Sequence, residues 1–217
     1  MTEPVAPIGR FRAVVFDMDG LLLDTEVLWQ QAEEELFRRH GDRFSQADKL
    51  AVMGTSFAMT ARYFAERLGQ PPEHGPQLVE ELQQVMHALL QDQVSSRPGA
   101  LELVTRLRGN GVRLALASNS SRFLVDTALA TAGVTDAFEV IVSSDDVEHA
   151  KPAPDIYLLA CARLGVDPAD ALALEDSAPG IEAAKAAGMA CIAVPQFAET
   201  DVSAADRVID TLEELLV

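Results

Sequence analysis

What most constrains this chain is an order repeated along it: a short apolar run, a polar residue, a helical pattern, then a glycine. Five apolar runs of strand length stand out, at residues 13–16, 113–117, 140–142, 171–174 and 191–194, and four of the five end on a polar or charged residue. They are almost continuously apolar rather than alternating, which fits strands buried on both faces of a parallel sheet. Helical periodicity fills 98–108, 123–132, 155–164 and 180–187. These segments stop near Gly109 and Gly111, at Gly133, at Gly165 and at Gly188. The alternation predicts a doubly wound α/β domain built on a parallel sheet. Residues 207–217 read as a last short strand and a helix.

One region breaks the order. Residues 26–96 carry helical patterns at 26–39, 57–68 and 77–91 and no convincing strand, with a loop at 69–75 (GQPPEHG). The expected organisation is an α/β core from residues 1–24 and 97–217, interrupted by a small helical cap domain at 25–96. A length of 217 residues suits one domain with such an insertion.

With 34 acidic against 17 basic side chains, the net charge is −17. A chain whose task was to neutralise nucleic-acid phosphates or to sit on an anionic membrane needs a basic face, so neither partner is expected. No stretch approaches the ~18 continuous apolar residues of a membrane span, and the first ten residues lack the order of a signal peptide, so a cytoplasmic location is expected. Cys161 and Cys191 lie far apart in apolar segments and read as buried thiols rather than a disulfide. A monomer or small homo-oligomer is expected.

In an open α/β sheet, residues ending different strands converge on one crevice. Here they are unusually acidic. The first run ends in Asp17-Met18-Asp19-Gly20, the second in Ser118-Asn119-Ser120, and the fourth in Glu175-Asp176-Ser177, while Lys151 follows the third, before Pro152. Carboxylates aimed at one crevice raise each other's pKa unless a cation neutralises them. A hard divalent ion such as Mg²⁺ suits all-oxygen ligands and leaves positions for a phosphate. Asp17 and Asp19, two apart on an extended segment, point to one side and fit a nucleophile with a proton donor or acceptor. Ser118 with a helix start, and Lys151 as a compact charge, suit an anionic group. Asn119 is open between capping and phosphate contact. The chemistry inferred is phosphoryl transfer through an aspartyl phosphate on a small phosphorylated metabolite.

Four segments in order, VVFDMDGLLLDTE (14–26), LALASNSS (114–121), KPAPDIY (151–157) and LEDSAPGIEAA (174–184), resemble the four motifs of the haloacid dehalogenase superfamily. The likeness is to the subgroup of β-phosphoglucomutase and sugar-phosphate phosphatases. It implies Asp17 as nucleophile and Asp19 as general acid and then base, with Ser118 and Lys151 holding the phosphoryl group. It implies Mg²⁺ on the Asp17 side chain, the Asp19 carbonyl and Asp176, with Glu175 a direct or water-mediated ligand. The insertion would be the cap that closes over substrate.

The mutase-like pattern expects a histidine early in the first cap helix and an arginine in the cap loop. Trp29 and Phe57 stand there, the latter in Met53-Gly54-Thr55-Ser56-Phe57. Loss of an anion-binding arginine favours hydrolysis over a mutase that must hold a second phosphate, unless Arg62 substitutes. Trp29 and Phe57 read either as an apolar wall over a sugar or as ordinary packing. Asp24, Asp145 and Asp146 are expected to be hinge or supporting groups, the four histidines to be solvated or structural, and Glu33, Glu34 and Glu35 to form a solvated face. A receiver-like phospho-acceptor is disfavoured by Asp19 and the cap, and a dehalogenase by the second aspartate and the acidic cluster.

Overall fold

In the computed structural model, which describes residues 8–52, 55 and 57–216, six parallel strands form the sheet. They are β1 (Ala13–Phe16), β2 (Arg113–Ala117), β3 (Val140–Val142), β4 (Ala171–Glu175), β5 (Ala190–Ala193) and β6 (Arg207–Val208). Four helices, α1 (Glu26–Arg39), α2 (Gln46–Val52), α3 (Phe57–Arg67) and α4 (Gly75–Asp92), lie between β1 and β2, and α5 (Ala100–Gly109) completes that connection. Then α6 (Arg122–Thr131) joins β2 to β3, α7 (Asp155–Leu164) joins β3 to β4, and α8 (Ala178–Ala186) joins β4 to β5. The strand order is β3-β2-β1-β4-β5-β6. The chain builds outward from β1 on one side, then returns to build on the other, so the switch point falls beside β1.

The apolar runs resolve into an alternation of size rather than polarity. Val14, Phe16, Leu114, Leu116, Leu172 and Leu174 face one core, shared with α5, α6 and the inserted helices. Ala13, Val15, Ala115, Ala117, Ala171 and Ala173 face the other. Small side chains there let α7 and α8 approach the sheet closely and bring Tyr157 into the interior.

The two connections to the insertion are stitched together. Asp24 N–H donates to the Ser95 carbonyl (2.8 Å) and Arg97 N–H to the Leu22 carbonyl (3.0 Å), around an antiparallel bridge of Leu23 with Ser96. Helix α2 is absent from the sequence expectation because seven residues show no clear period. A capping box starts it: Ser45 N–H donates to Asp48 Oδ2 (2.8 Å), and Asp48 N–H to Ser45 Oγ (3.3 Å). The expected terminal helix is a 3₁₀ turn at Leu212–Leu215, and Val217 lies outside the described residues. So do Met53, Gly54 and Ser56 of the expected cap loop. Both cysteines are free and buried, and no helix among the described residues is long and apolar enough to cross a membrane.

Candidate active site

Register sets the site. Phe16 is level with both Leu116 and Leu174, so Asp17 falls between two neighbouring strand ends, where its N–H donates to the Leu174 carbonyl (3.0 Å). Lys151 enters from the segment after β3. Its ammonium donates to Asp17 Oδ1 (2.5 Å), Glu175 Oε1 (2.6 Å) and the Ala117 carbonyl (2.9 Å), using all three of its donors. Asn119 grips the backbone behind it: Lys151 N–H donates to Asn119 Oδ1 (2.9 Å), and Asn119 Nδ2 donates to the Lys151 carbonyl (3.2 Å).

Glu175 is fully buried and both its oxygens are engaged. Oε1 accepts from Lys151 and from Tyr157 OH (2.6 Å). Oε2 accepts from Asp176 N–H (3.2 Å), Ser177 N–H (3.4 Å) and Ser177 Oγ (3.1 Å). A Cβ on Gly180 would lie 2.0 Å from this carboxyl group, so the first turn of α8 packs against it only because residue 180 is glycine. Gly20 does the same for Asp176: its φ is +82°, and a Cβ there would lie 2.2 Å from Asp176 Oδ2.

Asp17, Glu175 and Asp176 bring oxygens within 4.8 Å of one another. Burial pushes Asp17 well above the usual carboxylate range, with Lys151 pulling against it and Glu175 and Asp19 adding to it. Asp176 is pushed up likewise, by burial first and then by Asp17 and Glu175. Burial works against the charge of Lys151, but Asp17 and Glu175 outweigh it and raise its pKa. Three buried carboxylates with more negative charge than one ammonium offsets are a donor set that fits a hard divalent cation.

Asp19 is held differently. Its Oδ1 accepts from Thr25 Oγ1 (2.7 Å) and Trp29 Nε1 (3.1 Å), and its Oδ2 from Ser118 Oγ (3.1 Å) and Ser120 Oγ (2.8 Å). The indole bond ties helix α1 to this carboxylate.

A cavity of about 470 Å³ opens here. Asp17, Asp19, Asn119, Ser120, Lys151 and Asp176 line its floor, and Glu26, Trp29, Glu33, Lys49 and Phe57 line the opposite side. Ser118 is buried beneath, its hydroxyl committed to Asp19 and to Ser120 N–H (3.0 Å). Trp29 and Phe57 lie 6.1 Å apart and tilted by 51°, forming a wall of the cavity.

Two expectations change, for Glu33 and Arg62. Glu33 is not on a solvated face: it is buried, lines the cavity and bonds Lys49 (3.1 Å). Burial raises its pKa to about 7, with Lys49 pulling the other way. Arg62 is exposed and is not among the described lining residues, so it does not replace an anion-binding arginine. Asp145 and Asp146 serve local structure, the first accepting from Arg122 N–H (2.9 Å) at the start of α6, the second from Ser143 N–H (2.9 Å) and Arg163 (2.8 Å). Asp24 sits at the stitched connection and accepts from Gln196 Nε2 (3.2 Å). The histidines lie away from the cavity lining, His40 against Glu81 and His87 stacked on Phe123. Glu26, Glu33 and Lys49 were missed, although 26, 29 and 33 recur at i, i+3 and i+7, the spacing of one helix face.

Residues 14–194 match the family of haloacid dehalogenase-like hydrolases. Hexitol phosphatase B of Escherichia coli is 34% identical over 84% of this chain and 83% of its own. Fructose-1-phosphate phosphatase YqaB, also of Escherichia coli, is 32% identical over 85% and 97%. The crystal structure of CbbY from Rhodobacter sphaeroides in complex with phosphate superposes with a TM-score of 0.84 at 32% identity, covering 94% of this chain and 96% of that one. The chain belongs to the haloacid dehalogenase-like hydrolases. It is an enzyme of that family, a phosphatase acting on phosphate monoesters.

Proposed function

We propose that this phosphatase hydrolyses small sugar or polyol phosphates in the cytoplasm, with Mg²⁺ as cofactor and through an aspartyl phosphate on Asp17. The observation that carries the reading is the pairing in one cavity of Asp17, bonded to Lys151, with Asp19, bonded by four donors from both sides of the cavity. Asp17 attacks phosphorus. The leaving alcohol takes its proton from Asp19, which then accepts one from the water that attacks the aspartyl phosphate and releases inorganic phosphate. Lys151 fixes one oxygen of Asp17 and offers charge to the phosphoryl oxygens, beside Asn119 and Ser120 on the cavity floor, while Ser118 beneath them holds Asp19. Mg²⁺ would be held by Asp17, Asp176 and the Asp19 carbonyl, with Glu175 bracing Lys151 and the Asp176 backbone; it would neutralise charge on the transferring group. Residues 25–96 act as the cap, and closure over the cavity limits water at the first step.

Hydrolysis is favoured over mutation because the lysines among the described lining residues, Lys49 and Lys151, are both already ion-paired, which leaves no basic group for a second phosphate. The names of two relatives make hexitol phosphates and fructose 1-phosphate the first compounds to try. Phosphate release is measured across sugar phosphates, phosphoglycolate and p-nitrophenyl phosphate, with Mg²⁺ and again with EDTA. Release with Mg²⁺ and none with EDTA is expected; no release from any compound defeats the reading.

A further inference from the structure

The cap side of the cavity carries a charge pattern that the chemistry above does not use. Helix α1 presents Glu26, Trp29 and Glu33 on one face, and α2 presents Lys49. Lys49 Nζ lies 3.0 Å from Glu26 Oε2 and 3.1 Å from Glu33 Oε2. Its position is fixed from behind. The preceding residue, Asp48, is buried and accepts from Ser45 Oγ (2.5 Å), Tyr63 OH (2.7 Å) and Arg67 Nε (2.9 Å), so α2 is anchored to α3. Away from the catalytic carboxylates, the described lining residues set Glu26, Glu33, Glu199 and Asp201 against Lys49 as the basic group. That lysine sits between two of them. The distal half of the pocket thus presents carboxylate acceptors and an apolar Trp29–Phe57 wall, without a cation free to meet an incoming anion.

We infer that Glu26 and Glu33, with Lys49 clamped between them, make the far wall a charge filter: it admits a phosphate ester whose remainder is uncharged and hydroxyl-bearing, and rejects one carrying a second phosphate or a carboxylate. Each carboxylate has lone pairs beyond the one Lys49 takes, and these accept substrate hydroxyls. A second anion is desolvated there beside like charge, a repulsive element built against the wrong ligand. The inference rests on the phosphatase reading and deepens it.

Sorbitol 6-phosphate and 6-phosphogluconate have the same carbon chain and differ at C1, a hydroxymethyl against a carboxylate. With wild-type enzyme and Mg²⁺ at pH 8, kcat/KM is expected to favour the polyol by at least about 100-fold. In Glu26→Gln/Glu33→Gln, Lys49 is released and becomes an anion receptor, so the preference falls below about 10-fold, chiefly through a lower KM for the acid. Lys49→Met keeps both carboxylates and so keeps the preference. A ratio within one preparation is insensitive to partial loss of folded protein, and if the double variant does not fold, the wild-type and Lys49→Met ratios decide. The filter is overturned if wild type treats the two substrates within about threefold of each other, or if the preference is unchanged in the folded double variant. If p-nitrophenyl phosphate is hydrolysed while the acid and the polyol are turned over alike, or neither is, only the filter fails. If no phosphate is released from any of the three, the phosphatase reading fails with it.

Discussion

Replacing Glu175 with glutamine keeps the side chain's shape and removes its charge. Five donors converge on the two carboxylate oxygens: Lys151 and Tyr157 on one, the Asp176 and Ser177 amides and the Ser177 hydroxyl on the other. Glutamine can satisfy one set only, because its NH₂ must face the other, donor against donor. Lys151 keeps Asp17 as its charge partner, so the cost is that of buried donors left facing an NH₂ group, about 1–3 kcal/mol for each set left unsatisfied. Glu175 is fully buried, so water does not take their place. Glu175→Gln is therefore expected to lower unfolding stability by about 2–3 kcal/mol in the absence of metal. In a chain of this size that is a fall in Tm of about 4–12 °C. Urea unfolding of both proteins in EDTA measures it. If Glu175 were chiefly a metal ligand, the variant in EDTA would lie within about 1 kcal/mol of wild type, and the defect would surface as weaker Mg²⁺ binding. That result would refute its role as the brace for Lys151.

Trp29→Phe keeps the aromatic wall and deletes the indole donor to Asp19. A hydrogen bond to a charged group is worth about 1.5 kcal/mol, so steady-state kinetics should show kcat down about tenfold with KM little changed. Glu33 binds its proton more tightly folded than unfolded, its pKa rising from 4.5 to about 7 through burial against the pull of Lys49. Stability from this group is present below pH 4.5 and lost as pH rises to about 7. Glu33→Gln should flatten that decline by about 3 kcal/mol in chemical denaturation between those pH values. Arg62→Ala should leave kcat/KM for a sugar phosphate within about twofold, since Arg62 is exposed away from the described cavity lining; a tenfold loss would restore a mutase-like role.

The core was readable because its signals are local. Terminal glycines and apolar runs placed β1, β2 and β3 at the expected bounds, with β4 running one residue further and β5 shifted by one. What was not readable depends on tertiary placement. The Glu33-Glu34-Glu35 run looks solvated, yet one of the three turns inward with Trp29, because α1 has a cavity on one side as well as a core. Lys49 sits in a helix too short to show a period, and its importance comes from Glu26 and Glu33, 23 and 16 residues earlier in the sequence. The convergence of Asp17, Asp19, Lys151, Glu175 and Asp176 followed from strand ends meeting at a switch point. The division of labour among them did not: the engagement of both Glu175 oxygens, the Asn119 grip on the Lys151 backbone and the burial of Ser118 are matters of side-chain geometry.

The most direct test of covalent catalysis by Asp17 is a single-turnover reaction of Asp19→Asn with ³²P-labelled p-nitrophenyl phosphate, whose leaving group needs no proton from Asp19, quenched in acid and digested. With Asp19 unable to activate water, label is expected on the peptide containing Asp17 and should be released by hydroxylamine, as an acyl phosphate is. Asp17→Asn should carry no label and show no turnover. Phosphate release by wild type without any protein-bound label in Asp19→Asn, or label on another residue, would contradict the mechanism.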